Sequence, residues 1–289
     1  MPFNPHSFLQ EEILTQPDDW ARVVSRVDEA RAALPPHGAR LAVVGCGTSF
    51  YMAQAYAALR ELAGQGETDA FAASEHRLHR GYDAVLVITR SGTTTEVLDV
   101  LTELRGSGTP TTAIVATDGT PATELADRVI LLGEVDEQSV VQTRFATTAL
   151  ALLRASLGED LTGAIADAQQ LTFLGRGWTV GLAEEAGLKL RESAQLWTES
   201  YPAMEYRHGP ISIAASGRAT WAFGEVPEGL AEQVEATGAT FEHRDIDPMA
   251  DLVRVHRLCL AKARQADVDP DNPRALTRSI VLSDAGGHR

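Results

Sequence analysis

The segment Leu41-Ala-Val-Val-Gly45-Cys-Gly-Thr-Ser49 begins as an apolar run and passes at once into a turn of glycines and hydroxyls. A short apolar run is the mark of a strand buried on both faces. The turn leads into a helix over 48–63, capped by Thr48 or Ser49. Ala84-Val-Leu-Val-Ile88 repeats the device. It is followed by Thr89-Arg-Ser-Gly-Thr-Thr94 and a helix over 94–105. Strands that each end in such a turn, with a helix close behind, predict a parallel sheet covered by helices on both faces.

Working outward, apolar residues at helical spacing (Trp20, Val23, Val24, Val27, Ala30, Leu34) predict an opening helix over 18–34, stopped by Pro35, Pro36 and Gly38. A weak strand follows near 69–72. Strands over 111–116 and 128–132 flank a short helix over 121–125, and a long helix covers 139–157. The pattern then restarts. Leu171-Thr-Phe-Leu-Gly175 resembles Leu41-Ala-Val-Val-Gly45, and a helix over 179–197 follows it. Strands over 219–223 and 239–243, a helix over 230–236 and a closing helix over 250–266 complete the second half. Gly and Asp interrupt the apolar period over 158–169, which sets the expected units at 18–158 and 169–289. The expected class is α/β: two three-layer αβα halves, each with a mainly parallel sheet.

The chain has 289 residues, 44% hydrophobic and 22% charged, enough for two domains with a sizeable core. Its formal net charge of −15 argues against nucleic acid or anionic membrane as the main partner. A phosphorylated small molecule remains compatible, because helix N-termini and a few cations oppose that field locally. Cys46 and Cys259 have neither metal-ligand nor redox spacing, so no metal and no cofactor are expected. Both read as buried free thiols in a reducing compartment. The first ten residues do not read as a signal peptide, and no run of about 20 apolar residues occurs, so a cytoplasmic protein is expected.

Two sets of residues carry chemistry. The turns at Cys46-Gly-Thr-Ser49 and Thr89-Arg-Ser-Gly-Thr-Thr94 stand at strand C-termini. Free N–H groups and short hydroxyls there make an oxyanion cradle; alternatively the hydroxyls only cap helices. In the second half, Glu185, Lys189 and Glu192 fall at i, i+4 and i+7 and share one helical face. Alone they read as a solvated salt-bridge ladder. The polar, aromatic segment Glu199-Ser-Tyr-Pro-Ala-Met-Glu-Tyr-Arg-His-Gly-Pro210 follows directly and reads as a loop of fixed conformation. The proline is expected to hold His208 extended. A His, a Lys and a Glu converging near a phosphate cradle are acid–base equipment.

The motifs Gly45-Cys-Gly-Thr-Ser-Phe-Tyr51, Ser91-Gly-Thr-Thr94, Gly187-Leu-Lys-Leu-Arg-Glu-Ser193 through His208-Gly-Pro210, and Pro273-Arg-Ala-Leu-Thr-Arg-Ser279 occur in one order. In this the chain resembles the sugar isomerase (SIS) domain family in its tandem form. That form includes the isomerase half of glucosamine-6-phosphate synthase and stand-alone sugar-phosphate deaminases and isomerases. The resemblance implies SIS-type halves with a flavodoxin-like strand order. It also implies that Cys46, Gly47, Thr48, Ser49, Thr89, Ser91, Gly92 and Thr94 hold a sugar phosphate. Glu192 would move a proton between C1 and C2. His208 would assist ring opening in a neighbouring subunit, in a homodimer with shared sites. Lys189 matches a family lysine near the substrate.

Three departures stand out. Arg90 and Thr93 replace the family's Gln and Glu, and Arg90 either adds charge near the phosphate or faces outward. Arg278 stands at the tail position of a family Lys. Arginine stays protonated and forms no Schiff base at ordinary pH. Met1-Pro2 offers no N-terminal cysteine nucleophile, so glutamine hydrolysis is not expected. The implied function is a sugar-phosphate deaminase/isomerase acting on an amino-hexose 6-phosphate. The alternatives are aldose–ketose isomerisation without nitrogen chemistry, and a sugar-phosphate-binding regulator without turnover.

Overall fold

The computed structural model describes residues 7–157 and 170–281. Its first half runs α1 (Phe8–Val24), α2 (Val27–Ala33), β1 (Leu41–Gly45), α3 (Thr48–Leu62), β2 (Thr68–Ala72), β3 (Ala84–Thr89), α4 (Thr95–Leu104), β4 (Thr111–Val115), α5 (Pro121–Leu125), β5 (Arg128–Leu131) and α6 (Arg144–Leu157). The second runs β6 (Leu171–Gly175), α7 (Thr179–Ala194), β7 (Thr198–Pro202), β8 (Ala219–Ala222), α8 (Leu230–Glu235), β9 (Thr240–His243) and α9 (Pro248–Gln265). The boundary expected within 158–169 lies outside the described residues.

Among the described residues two sheets form, ordered β2-β1-β3-β4-β5 and β7-β6-β8-β9, and every strand pair is parallel. In the first sheet, Leu41, Val43, Leu86 and Ile88 face one cluster, while Ala42, Val44, Val85 and Val87 face another. This is the two-residue alternation of a strand buried on both faces. The inner cluster is continuous between the halves: Leu41 and Tyr56 share it with Phe173, Leu182, Trp221 and Leu258. Helices α3, α6, α7 and α9 therefore lie between the sheets, around one apolar core.

Gly181 fixes how the halves meet. A Cβ there would lie 2.5 Å from the Tyr51 carbonyl oxygen and 3.0 Å from the Ala55 nitrogen. Helix α7 thus lies directly on the backbone of α3, and its later turns carry Lys189 and Glu192 to the start of α3. Crowding this contact would cost about 1–3 kcal/mol.

Several elements differ from expectation. The opening helix starts at Phe8, ten residues early, and breaks at Ser25. Pro17 lies inside it, and Leu9 and Ile13 pack on Val141 and Leu260, contacts with no local signature. Residues 139–143 are not helical. Glu12 accepts from the amides of Gln138 and Ser139, and Glu137 accepts from those of Thr143, Arg144 and Phe145, so α6 begins on a carboxylate cap. Helix α7 stops at Ala194 because Gln195 turns left-handed, at φ 53°. The segment expected as loop contains β7, an edge strand whose alternation is polar.

Candidate functional site

The order 2-1-3-4-5 puts the topological switch between β1 and β3, where a ligand crevice is expected beyond the strand ends. A cavity of 190 Å³ opens there. Cys46, Gly47, Thr48 and Ser49 from the first turn line it, with Thr89, Arg90, Ser91 and Thr94 from the second. Lys189 and Glu192 enter from α7, and Arg278 from the C-terminal segment. Two residues expected at the site do not line this cavity. Gly92 is buried, and a Cβ there would lie 2.0 Å from the Thr120 hydroxyl oxygen, so its role is to let the turn close against Thr120. His208 does not line the cavity of its own chain. It is exposed and ends a 3-10 turn over Glu205–His208; Gly209, at φ 140°, is the residue that precedes the proline. The proline restraint therefore falls on Gly209.

The turn hydroxyls are not helix caps. The N-cap of α3 is Gly47, at φ 53°, and neither α3 nor α4 has a side-chain cap hydrogen bond. Ser91 Oγ accepts from the Thr93 amide at 3.3 Å and lies 3.1 Å from Thr93 Oγ1. The Cys46 thiol is pushed up to about 11, by burial first and by Glu96 second. It stays a neutral thiol, unsuited to nucleophilic attack.

Nor is the α7 triplet a solvated ladder. Glu185 and Lys189 are at most 1% exposed; Lys189 and Glu192 both line the cavity, and Glu192 is the more open of the two, 19% exposed. Lys189 Nζ donates to Glu192 and lies 3.8 Å from Glu185 Oε1. Burial alone would lower the Lys189 pKa, but the two carboxylates outweigh it and leave it raised, so the ammonium stays charged. Burial pushes Glu185 up to about 8 against the pull of Lys189. Neither Glu185 oxygen has a hydrogen-bond partner among the described residues. The helical spacing that signalled a ladder also fits a buried cluster; only the packing of α7 on α3 decides between them.

Arg90 does not face outward. It is 4% exposed and donates to the carbonyls of Ser139, at 3.0 Å, and Arg278, at 2.7 Å. Its guanidinium lies 3.8 Å from buried Glu137. Sequence reasoning left out Val140 and Gln142, and carried Ser279 only as the end of a motif; all three also line the cavity. The loop bearing the first two is set by Glu12, 126 residues away, and leaves no local pattern.

Residues 37–157 match the SIS domain family model. That match covers the half with both hydroxyl turns; the second half lies outside it. Over its whole length the chain is similar to the isomerizing glutamine–fructose-6-phosphate aminotransferase of Aeropyrum pernix. The two are 29% identical over 96% of this chain and 57% of that protein, so this chain spans just over half its relative. Among solved structures it superposes on a glucosamine-6-phosphate deaminase from Thermotoga maritima with TM-score 0.82 and 21% identity, covering 96% of this chain and 100% of that one. A tagatose-6-phosphate ketose/aldose isomerase from Escherichia coli follows, with TM-score 0.74 and 16% identity over 99% and 100%. At such identities the structural likeness speaks for the fold. The relatives are of the phosphosugar isomerase and deaminase class. Among the described residues no helix is long and apolar enough to cross a membrane.

Proposed function

We propose that this chain is a sugar-phosphate deaminase/isomerase that acts on an amino-hexose 6-phosphate through C1–C2 proton transfer. One observation carries the reading: Glu192, partnered by buried Lys189, opens onto the cavity whose other wall is the two hydroxyl turns. An anion held at Ser91, Thr94 and the Thr48–Ser49 turn would fix one end of the sugar. The far end would then lie before Glu192. Its carboxylate can take a proton from one carbon and return it to the neighbour, as a general base of 10²–10⁴-fold effect. Lys189, kept charged, holds that carboxylate in place and supplies positive charge where an enediolate oxygen forms.

The nitrogen chemistry follows from proton balance. At neutral pH free ammonia is mostly ammonium, which is no nucleophile, so release from an amino sugar is the easier direction. The chain has only two lysines, Lys189 and Lys262. The first is paired with Glu192 and stays charged, and the second does not line the cavity, so we read the reaction as one without an imine to the protein. Proton transfer between C1 and C2 without a protein amine serves the second reading, simple aldose–ketose isomerisation, equally well. We further read residues 169–289 as a second, diverged SIS-type unit, on the strength of its parallel sheet. A homodimer in which His208 reaches the partner's cavity would account for that residue's exposed position.

Assay of the purified chain with glucosamine 6-phosphate tests the proposal. Ammonia and fructose 6-phosphate are expected, with no glutamate formed from glutamine in the presence of any sugar phosphate. Isomerisation of neutral sugar phosphates, with no ammonia from any amino sugar, would promote the second reading. Glutamine hydrolysis would overturn the first.

A further inference from the structure

After α9 the described chain runs on to Val281. It crosses to the first half and lies along the second hydroxyl turn. Ser279 Oγ is 3.1 Å from Ser91 Oγ, 3.1 Å from Thr93 Oγ1 and 3.5 Å from Thr94 Oγ1. The Thr95 amide, at the start of α4, donates to the Ile280 carbonyl at 3.3 Å. Four hydroxyls from two distant stretches of sequence thus meet in one place, at a helix N-terminus. Each hydroxyl has one proton and rotates freely. Clustered together they serve one another only in part, because each proton satisfies one neighbour. An anion arriving in the cavity would accept from Ser91, Thr94 and Ser279, which line it, at once.

What seats Ser279 is also visible. Arg90 Nη2 holds the carbonyl of Arg278, the residue just before it, and Arg90 Nη1 holds Ser139. Arg278 in turn pairs with Asp136. Arg90 Nε is buried, has no partner among the described residues, and belongs to a side chain that lines the cavity. A guanidinium that lines the cavity and keeps a buried donor unpaired leaves that donor for an acceptor.

We propose that Ser279 is a further hydroxyl of the phosphate site, delivered by the C-terminal segment, and that Arg90 is the positioning residue that seats it there. The inference rests on the sugar-phosphate reading above. It adds that the phosphate is held from both sides: by Ser91, Thr94 and the Thr48–Ser49 turn, and by Ser279 on the tail. Anion affinity and tail docking are then linked, since phosphate binds the docked form better than the undocked one.

The test measures binding of fructose 6-phosphate and of inorganic phosphate by calorimetry to the full chain and to Ser279→Ala, Ser91→Ala, Arg90→Gln and the double variant Arg90→Gln/Ser279→Ala. Ser279→Ala should weaken both ligands about tenfold, the loss of one hydrogen bond to a charged group. Arg90→Gln should weaken them too, and adding Ser279→Ala to it should cost nothing further, because the tail is already unseated. Additive losses would overturn the role given to Arg90. Unchanged or tighter binding by Ser279→Ala, with Ser91→Ala weakened, would overturn the role given to Ser279 and leave the phosphate reading standing. If neither serine variant changes affinity, the phosphate placement itself falls. Should Arg90→Gln fail to fold, Ser279→Ala, a change of one partly exposed hydroxyl, still decides the main claim.

Discussion

The strand-to-helix turns at Gly45 and Gly175 share a backbone and differ in what surrounds them. In each, glycine ends the first strand of its half because the following helix passes too close for a side chain. A Cβ at Gly45 would lie 2.7 Å from the Ser49 carbonyl carbon, and one at Gly175 would lie 2.2 Å from the Thr179 carbonyl oxygen. In each a second glycine turns left-handed, Gly47 at φ 53° and Gly177 at φ 56°. Beyond that they diverge. The first turn faces Thr89-Arg-Ser-Gly-Thr-Thr94 at the end of β3. The second faces Phe223-Gly-Glu-Val-Pro-Glu228 at the end of β8, where Glu225 pairs with Arg176. Thr179 turns its hydroxyl inward to the Phe223 carbonyl at 3.0 Å. The turn alone therefore does not make an anion site. The neighbouring strand must supply hydroxyls and no carboxylate, and the second half instead contributes α7.

The largest expected effect is on the carboxylate that α7 delivers. Glu192→Gln keeps shape and removes basicity, so turnover should fall about 10²–10⁴-fold while fructose 6-phosphate still binds. Turnover assays and calorimetry on the same preparation check both halves of that statement.

The comparison itself is broken or kept by anion affinity. Replacing Ser91 and Thr94 with Ala should weaken fructose 6-phosphate about 10- to 100-fold, as expected for hydrogen bonds to a charged group. Arg176→Ala, at the turn of the second half, should leave affinity within about twofold, because an exposed ion pair contributes little. Calorimetry giving the opposite ranking would mean that the second turn is the anion site.

Assembly is a smaller effect. Equal amounts of Glu192→Gln and His208→Ala protein, each inactive alone, should recover about a quarter of wild-type activity after subunit exchange. Half the dimers are then mixed, and each has one site with both residues intact. A monomer in light scattering, or no recovery after demonstrated exchange, would remove His208 from the site.

The smallest effect is on stability against pH. Burial holds the Glu185 carboxyl up to about 8, against an ordinary value of 4.5. Where the folded value is the higher, the native state keeps a proton the unfolded chain has released. The contribution of Glu185 is full below pH 4.5 and is lost as pH rises through 8. Glu185→Gln should therefore flatten the fall of melting temperature between about pH 5 and pH 8 relative to the parent. Parallel curves would show that Glu185 does not titrate there.

How much of this was legible follows from which forces are local. Strands buried on both faces, such as Leu41–Gly45, Ala84–Thr89 and Leu171–Gly175, announce themselves as apolar runs. Edge strand β7, with Glu199 and Tyr201 half-exposed, does not. Loops and helix starts held by distant carboxylates are invisible for the same reason: Glu12 organises the loop at residues 138–139, and Asp271 accepts from the amides of Phe8 and Leu9 at the start of α1. Both hydroxyl turns, Lys189 and Glu192 could be named from motif and spacing because each motif is contiguous. Ser279 could not be joined to Ser91, since 188 residues separate them and only the crossing of the tail brings them together.

The central claim is that Glu192 moves a proton between C1 and C2 of a sugar phosphate held by the first-half turns. Proton and carbon NMR of glucosamine 6-phosphate incubated with the protein in deuterium oxide measures this directly. The account predicts solvent deuterium at C1 or C2 of the product, with ammonia released, and loss of that exchange in Glu192→Gln under conditions where the sugar phosphate still binds. Exchange at the parent rate in Glu192→Gln would contradict it.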